Sequence, residues 1–415
     1  MTRAADRLDR LLGARLPGPP DGLRRGPFRR DAFPSPLHSE RRAANTGVWL
    51  GAAFLVCFLT GVLSDQIQDP QGWFTWPASP VWAYQVTQGV HVAAGLAAIP
   101  LLLVKLWTVH PLLFEWPPAG SPARAVSRLS VLVLVGAGVF ELATGLVNIA
   151  QWYPFGFFFP TAHYWTGWIA IGAISVHVGA KAAEIRRGLA RAGSPGRTAG
   201  LAPDAAVEVR ERDAAAEEHA VSRRALVLAT GLGVSAVTLT TVGQTLRPLG
   251  PVAVLAPRLP TVGPQGVPVN QTAENAGVLE TARADDYRLV VAGPQRLELS
   301  PADLRALPQA TERLPIACVE GWSASGDWTG VRLRELLRLA GLPAGTAVRV
   351  LSLQPGGRYD SSVVDVPQAA DPRTLLALRL NGEPLSLDHG FPVRLIAPNR
   401  PGVMQTKWLR QVEPA

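Results

Sequence analysis

Only two of the 415 residues are cysteine, and only 17% are Asp, Glu, Lys or Arg. Cys57 stands in an apolar run and Cys318 lies far from it along the chain, so an intrachain disulfide is not expected and the redox compartment is not legible from pairing. A hydrophobic content of 47% with so little charge is unusual for a soluble chain, and a membrane portion is expected. The net charge is +8, yet no nucleic-acid partner is expected, because the basic excess gathers in particular loops. Residues 65–83 and 151–163 contain no Lys or Arg at all. No internal repeat of solenoid length is present.

Four apolar stretches are long enough to cross a bilayer as helix: residues 45–64, 84–107, 129–150 and 164–183, each near the ~20 residues that the hydrocarbon core requires. A fifth, weaker one covers 225–242. Basic residues fall instead in 105–128, as Lys105, Arg124 and Arg128, in 181–224 and in the N-terminal arm, where Arg24, Arg25, Arg29, Arg30, Arg41 and Arg42 lie. This positive-inside bias puts the N-terminus in the cytoplasm and carries everything after the fifth stretch to the other side. The aromatic residues Trp73, Trp76, Trp82, Tyr84, Trp152, Tyr153, Tyr164 and Trp165 cluster where the outer interface falls.

The resulting plan is a multi-domain membrane protein: a cytoplasmic basic tail (1–44), a four-helix transmembrane domain (45–187), a charged cytoplasmic linker (188–221), a fifth transmembrane helix (222–243), a Pro- and Gly-rich extended tether (244–269) and a C-terminal domain (270–415). That last domain alternates short β-like runs such as "AVRVLSL" with short helical ones such as "SPADLRALPQ", an α+β texture of a size one core can support. The fifth stretch opens on Ser222, Arg223 and Arg224 followed by mildly hydrophobic residues. It is similar to a twin-arginine export signal, and an ordinary spanning helix with a basic inner flank is the alternative.

Ionisable and ligating groups at membrane depth need partners. His163 and His177 are fourteen positions apart on the fourth stretch; at about 100° and 1.5 Å per residue they share one face about 21 Å apart. Two imidazoles so placed suit two stacked metal-centred planes. Facing candidates are His91, set among Gly89, Ala93, Ala94 and Gly95, and His110, beyond the inner end of the second stretch. Glu141 is either a proton carrier beside a quinol pocket or a carboxyl satisfied within the bundle by groups such as Thr144. His38 and His219 fall in segments expected to be solvated.

On His91, His163 and His177, residues 45–187 resemble the bundles of membrane cytochromes b. The resemblance implies a bis-histidine haem b from His91 with His163 and a second, inner haem using His177. His91 with His177 around a single haem is the other pairing. His110 lies about 100° round the helix from His91 with Pro100 between them, so its pairing with His177 is open.

Cys318 sits in "LPIACVEGWSASGDWTG". A thiolate is a soft metal ligand, whereas a lone cysteine in a strand is ordinarily a small buried apolar residue. With "LSPADLRALP" before it and "GRYDSSV", "NGEPLSLDHGFPVRLIAP" and "PGVMQTKWLRQV" after it, this stretch resembles the molybdopterin-binding core of the sulfite oxidase family over residues 270–412. The resemblance implies that Cys318 is the molybdenum ligand, that His389 and Arg394 contact the pterin or its phosphate, and that Gln405, Thr406 and Lys407 form a second phosphate-facing segment. It further implies that Asn270 contacts the cofactor from an upstream loop, and that Ser352 and the catalytic candidate Tyr359 stand near the metal's open face. With no β-sandwich domain expected after Ala415, the chain looks more like the catalytic subunit of periplasmic methionine sulfoxide reductases than like a typical sulfite oxidase.

The expected function is oxygen-atom transfer on a small substrate at a molybdenum centre, with electrons relayed through one or two b-type haems to a membrane quinone or another carrier. The alternatives are a haem electron-transfer or pterin-binding membrane protein without turnover of its own, and an anchor or transporter without redox centres.

Overall fold

The computed structural model describes residues 18–29, 32–33, 35, 37–116, 122–190, 223–245, 247–283 and 285–415. Most of the basic tail's first half, almost all of the linker, His219 and Ser222 lie outside the described residues, and so does the side chain of Arg223. Five helices among the described residues are long and apolar enough to cross a membrane: α1 (Glu40–Gln68), α2 (Ala83–Leu113), α3 (Pro122–Ile149), α4 (Phe159–Ala190) and α5 (Arg223–Val242). A helix satisfies every internal backbone donor and acceptor by itself, which is what a medium without water demands. Four of the helices outrun the apolar stretches that announce them, because a helix continues through polar residues until something stops it. For α1 the stop is Asp69–Pro70, since the residue before a proline is pushed out of helical geometry. Pro100 does not end α2, which runs through it, as membrane helices tolerate.

Contacts divide the chain into two compact units: Met1–Phe58, Ala94–Asn148 and Trp152–Thr238 form one; Leu59–Ala93, Ile149–Gln151 and Leu239–Ala415 form the other. The ends of α1, α2 and α3 thus group with the C-terminal residues. Within the first unit the helices approach closely at small residues: a side chain on Gly188 would come within 3.0 Å of the Glu40 carbonyl, and one on Gly138 within 3.4 Å of Phe54. Backbone approach of this kind is how helices associate without a hydrophobic drive. Phe58 and Trp168 meet edge to face at 4.8 Å.

In the second unit, residues 244–269 are not an extended tether throughout. Gln244, Thr245, Ala253 and Val267 are buried, and Arg247–Val252 forms a 3-10 helix. The mixed domain that follows holds two sheets. One has the order β2 (Leu297–Leu299), β1 (Leu289–Val291), β10 (Leu409–Pro414), β5 (Val348–Ser352), β6 (Ser361–Val364), with β1 and β10 parallel. The other has the order β3 (Gln309–Ala317), β4 (Ser323–Arg332), β7 (Leu375–Leu380), β8 (Glu383–Pro384), with β9 (Arg394–Ile396) also paired to β7. Short helices α6 (Leu279–Arg283), α7 (Pro301–Ala306), α8 (Leu333–Leu339) and α9 (Val366–Ala370) connect them. The "LSPAD" signal forms α7 through a capping box: Ser300 Oγ accepts from Asp303 N at 3.1 Å while Asp303 Oδ2 accepts from Ser300 N at 2.9 Å.

The strands β4, β7 and β9 of the second sheet are buried on both faces. Val331, Leu376 and Leu395 join Leu289, Leu333, Leu336, Val350 and Leu409 in one core, while Trp328, Leu375, Ala377 and Ile396 join Leu314, Ile316 and Cys318 in another. Each fully buried Leu or Ile contributes about 1.5–3 kcal/mol by leaving water. Cys318 therefore starts from the edge of a rigid sheet whose β4, β7 and β9 are covered twice.

Candidate active site

Strands β3 and β4 form an antiparallel hairpin whose last pair is Ala317 with Ser323. Residues 318–322 are its turn, closed by Cys318 N donating to the Trp322 carbonyl at 2.9 Å and Gly321 N to the Cys318 carbonyl at 3.0 Å. The turn buries Cys318, Glu320 and Trp322. Trp322 Nε1 donates to Glu320 Oε2 at 2.9 Å, and Gln151 donates to the same carboxylate oxygen. Cys318 lines a small cleft together with Pro268, Asn270, Ile316, Arg394, Gly402 and Lys407. Four of the residues expected to meet the cofactor, Asn270, Cys318, Arg394 and Lys407, are thereby brought together from four separate stretches of chain.

The charge balance of this cleft is lopsided. Arg394 is buried on β9, its guanidinium 5.2 Å from the Trp328 ring; its Nη1 donates to the His389 carbonyl at 3.2 Å, and its Nε is buried with no hydrogen-bond partner. Lys407 Nζ donates to the carbonyls of Gln271 at 2.7 Å and Asp388 at 2.9 Å. Burial holds the Arg394 pKa down to about 9, and burial with the nearby Arg394 charge pushes Lys407 well below its ordinary value. Burial, then the Glu320 carboxylate, pushes the Cys318 thiol well up. Burial disfavours the charged form of each of the three groups. An anion beside the two cations and a metal on the sulfur relieve all three, so the residues present fit a phosphate-bearing, metal-holding group.

The other expected residues stand one layer back. His389 is buried, and its Nε2 lies 2.8 Å from the Pro264 carbonyl and 3.2 Å from that of Val267, fixing the segment that leads to Asn270. Gln405 locks its amide on both backbone groups of Ala397. Thr406 Oγ1 is 2.8 Å from Ser362 Oγ. Ser352 Oγ donates to the Lys407 carbonyl at 2.8 Å, bracing Lys407 rather than lining the cleft. Tyr359 is half-buried and within electrostatic range of Cys318.

Some participants escaped the sequence reading. Glu320 and Trp322 belong to the quoted motif, yet nothing in the sequence marks their mutual hydrogen bond. Arg400 is a further buried cation, with Nη2 on the Val363 carbonyl at 2.6 Å and Nη1 unpartnered; "NRPG" carries no pattern that would single it out. Gln151 lies 169 residues from its partner Glu320, and no local signal joins them.

The histidines of the helical part divide. His91 Nδ1 is 3.0 Å from Thr60 Oγ1, and a Cβ on Gly61 would lie 3.4 Å from its ring. The same Thr-Gly pair recurs in the other unit: His163 Nδ1 is 3.0 Å from Thr144 Oγ1, and a Cβ on Gly145 would lie 3.9 Å from the ring. His163 Nε2 lies 3.2 Å from Glu141 Oε2. His177 lies within electrostatic range of Lys105, whose Nζ donates to the Ala43 carbonyl at 2.5 Å. His110 Nε2 is 2.9 Å from the Pro27 carbonyl, with the ring against Phe33 and Phe114. His38, expected to be mere polar surface, has both ring nitrogens in hydrogen bonds, to Thr108 O at 3.1 Å and Phe33 O at 2.8 Å, and lies against Trp107.

Residues 275–415 match the family model of the oxidoreductase molybdopterin binding domain. The C-terminal part is a molybdopterin-binding oxidoreductase domain, homologous to sulfite oxidase. The chain is 34% identical over 136 residues (30% of this chain and 51% of the relative) to a protein of Azospira oryzae that carries the provisional name protein-methionine-sulfoxide reductase subunit YedZ1. It is 30% identical over 154 residues (31% of this chain and 27% of the relative) to mitochondrial sulfite oxidase of Drosophila melanogaster. The chain spans about half the length of the first of these and about a quarter of the second. The sulfane dehydrogenase SoxCD from Paracoccus pantotrophus matches over 37% of this chain and 43% of its own, at 22% identity and a TM-score of 0.29.

Proposed function

We propose that the protein is a membrane-bound molybdenum oxidoreductase that moves an oxygen atom to or from a small substrate and exchanges electrons through b-type haem in its helical part. The observation that carries this reading is the cleft in which the Cys318 thiol meets Asn270, Arg394 and Lys407 within the molybdopterin-binding family match. Cys318 supplies the thiolate to the metal. Arg394 and Lys407 supply the positive charge that a phosphate dianion needs, with Arg394 Nε open to a further acceptor. Asn270 supplies an amide from the upstream loop, which His389 holds in place. Gln405, Thr406 and Ser352 keep the Lys407 segment rigid, and Tyr359, within electrostatic range of Cys318, is the candidate for substrate contact. When bound, the pterin-held metal supplies the two-electron change that accompanies oxygen-atom transfer.

His91 and His163 are the best-supported haem ligands. In each, a threonine hydroxyl engages Nδ1, the arrangement that orients an imidazole to bind metal through its other nitrogen, and a glycine keeps the space beside the ring open. At His163 the Glu141 carboxyl must then yield Nε2 to the iron. His177 is the candidate for an inner haem, and His110, committed to the Pro27 carbonyl, is the least suited of the four. The positive-inside distribution favours a cytoplasmic N-terminus and an extracytoplasmic C-terminal domain, with a membrane quinone as the carrier and twin-arginine export of the folded domain.

Purified protein should contain molybdenum and show a reduced b-type haem spectrum, which His163→Ala should abolish together with quinol-linked activity. Wild-type protein loaded with molybdenum but lacking haem would contradict the electron-relay half of this reading.

A further inference from the structure

The turn that carries Cys318 is gripped from outside its own hairpin. Within the second unit, α2 brings Tyr84, Gln88 and Val92, one every fourth residue and so along one face, to residues 317–321. Tyr84 packs with Ile67 against Ala317. Gln88 Nε2 donates to the Val319 carbonyl at 3.1 Å. Val92 occupies the space that a side chain on Gly321 would need: a Cβ there would come within 2.8 Å of Val92 Cγ2 and 3.0 Å of Gln244 Nε2. Gly321 also has φ +92°, so both the turn and the close approach require glycine.

Three more groups complete the grip. Gln151 donates to the Glu320 carboxylate, the Thr245 hydroxyl donates to the Gly321 carbonyl, and the Gln244 carbonyl accepts from Ser323 N at 2.9 Å. Gln88, Gln244 and Thr245 are buried. Hydrogen bonds to a buried carbonyl that has no water to replace them are costly to break. His91 follows Gln88 by three residues and so lies beside it on the helix surface, with its ring oriented by Thr60.

We propose that Gln88 is a positioning residue that holds the Cys318 turn against the stretch of α2 bearing His91, so that electrons pass between the two centres across a permanent contact instead of during encounters of a tethered domain. This rests on the reading of Cys318 as molybdenum ligand and His91 as haem ligand. The path is short: Cys318 to the adjoining Val319 carbonyl, one hydrogen bond to Gln88, and three residues along α2 to His91. Oxygen-atom transfer changes the molybdenum centre by two electrons and haem iron changes by one, so two successive passages balance each turnover, with a quinone accepting or supplying the pair.

The test uses full-length protein in detergent whose molybdenum and haem contents are measured first. A flash-generated deazaflavin radical reduces the haem, and the subsequent equilibration of that electron with the molybdenum centre is followed at the haem band while sucrose raises the viscosity. The wild-type rate is expected to be independent of viscosity, and Gln88→Leu to slow it about tenfold or more with both cofactor contents unchanged. A wild-type rate that falls with viscosity, or a Gln88→Leu rate equal to wild type, overturns the proposal. Absence of haem would instead overturn the reading beneath it. The grip itself is then read without cofactors, by cutting at a protease site inserted between Val254 and Leu255, which are 78% and 60% exposed. The C-terminal fragment should stay with the membrane fraction in otherwise wild-type protein and leave it when Gln88→Leu and Gln151→Leu are combined. A fragment that leaves without those changes refutes the permanent contact.

Discussion

Gly390 couples the fold to the candidate cofactor site, and replacing it with alanine separates two costs. It follows the 3-10 turn Leu387–His389 with φ 105° and ψ 25°, a backbone conformation costing a non-glycine residue about 1–3 kcal/mol. A Cβ there would also lie 3.0 Å from Lys407 Cβ, 3.1 Å from Lys407 Cα and 3.2 Å from Arg394 Cβ. Lys407 cannot easily retreat, because its carbonyl is held by Ser352 and its ammonium by two carbonyls. Overpacking of this kind adds about 1–3 kcal/mol. Gly382 is the control: its φ is +85°, but nothing lies within 4 Å of its would-be Cβ, so Gly382→Ala carries the backbone cost alone. For a domain of this size each kcal/mol lowers the thermal midpoint by about 2–4 °C. Tryptophan fluorescence of the full chain should therefore show Gly390→Ala melting some 2–12 °C below Gly382→Ala. Gly390→Ala should also lose molybdenum, because the pushed side chains are the two cations of the cleft, whereas Gly382→Ala should retain it. Equal midpoints with equal metal content would refute this account of the site.

Cys318→Ser should abolish oxygen-atom transfer while leaving the membrane haem spectrum intact; activity persisting with molybdenum bound would remove Cys318 as the ligand. Burial, reinforced by the Arg394 charge, lowers the His389 pKa to about 4, against about 6.5 in an unfolded chain. The unfolded state thus takes up its proton first as the pH falls. The stability His389 supplies is complete above about pH 6.5 and drains between there and pH 4, by up to about 1.4 kcal/mol per pH unit. Urea midpoints at pH 7 and pH 5 should converge in His389→Gln relative to wild type, and an unchanged gap would place the acid sensitivity elsewhere. A reporter joined after Gln244 should lose folded export when Arg223 and Arg224 are both changed to lysine; unaffected export would identify α5 as a plain spanning helix.

The helical half was legible because spanning length and apolar composition are properties of contiguous sequence: five apolar stretches correspond to α1–α5. Their ends were less legible, since capping and prolines, not hydropathy, decide where a helix stops. In the C-terminal domain the capping box at Ser300 and Asp303 was written locally and formed α7. The cleft drew on a family resemblance, which supplied Asn270, Arg394 and Lys407 from distant segments, and all three line it with Cys318. Composition alone could not have done so. The resemblance did not separate residues that reach the cleft from those that brace it, such as Ser352 and Gln405, because that depends on which hydrogen bonds the backbone leaves unfilled. Least visible was the grip on the Cys318 turn. Gln88, Gln151 and Gln244 are unremarkable polar residues beside apolar helices, and only the tertiary structure carries them to Val319, Glu320 and Ser323. Residues 244–269 read as a loose tether for the same reason, although Gln244, Thr245 and Val267 are anchored.

Anaerobic full-length protein with measured molybdenum and haem is mixed with sulfite in its oxidised form, and with methionine sulfoxide, other S-oxides and N-oxides in its reduced form, and the haem band is followed. At least one substrate should change the haem oxidation state in wild-type protein and fail to do so in Cys318→Ser. A haem that responds to none of them while both cofactors are fully loaded would contradict an oxygen-atom-transfer site at Cys318 wired to the membrane helices.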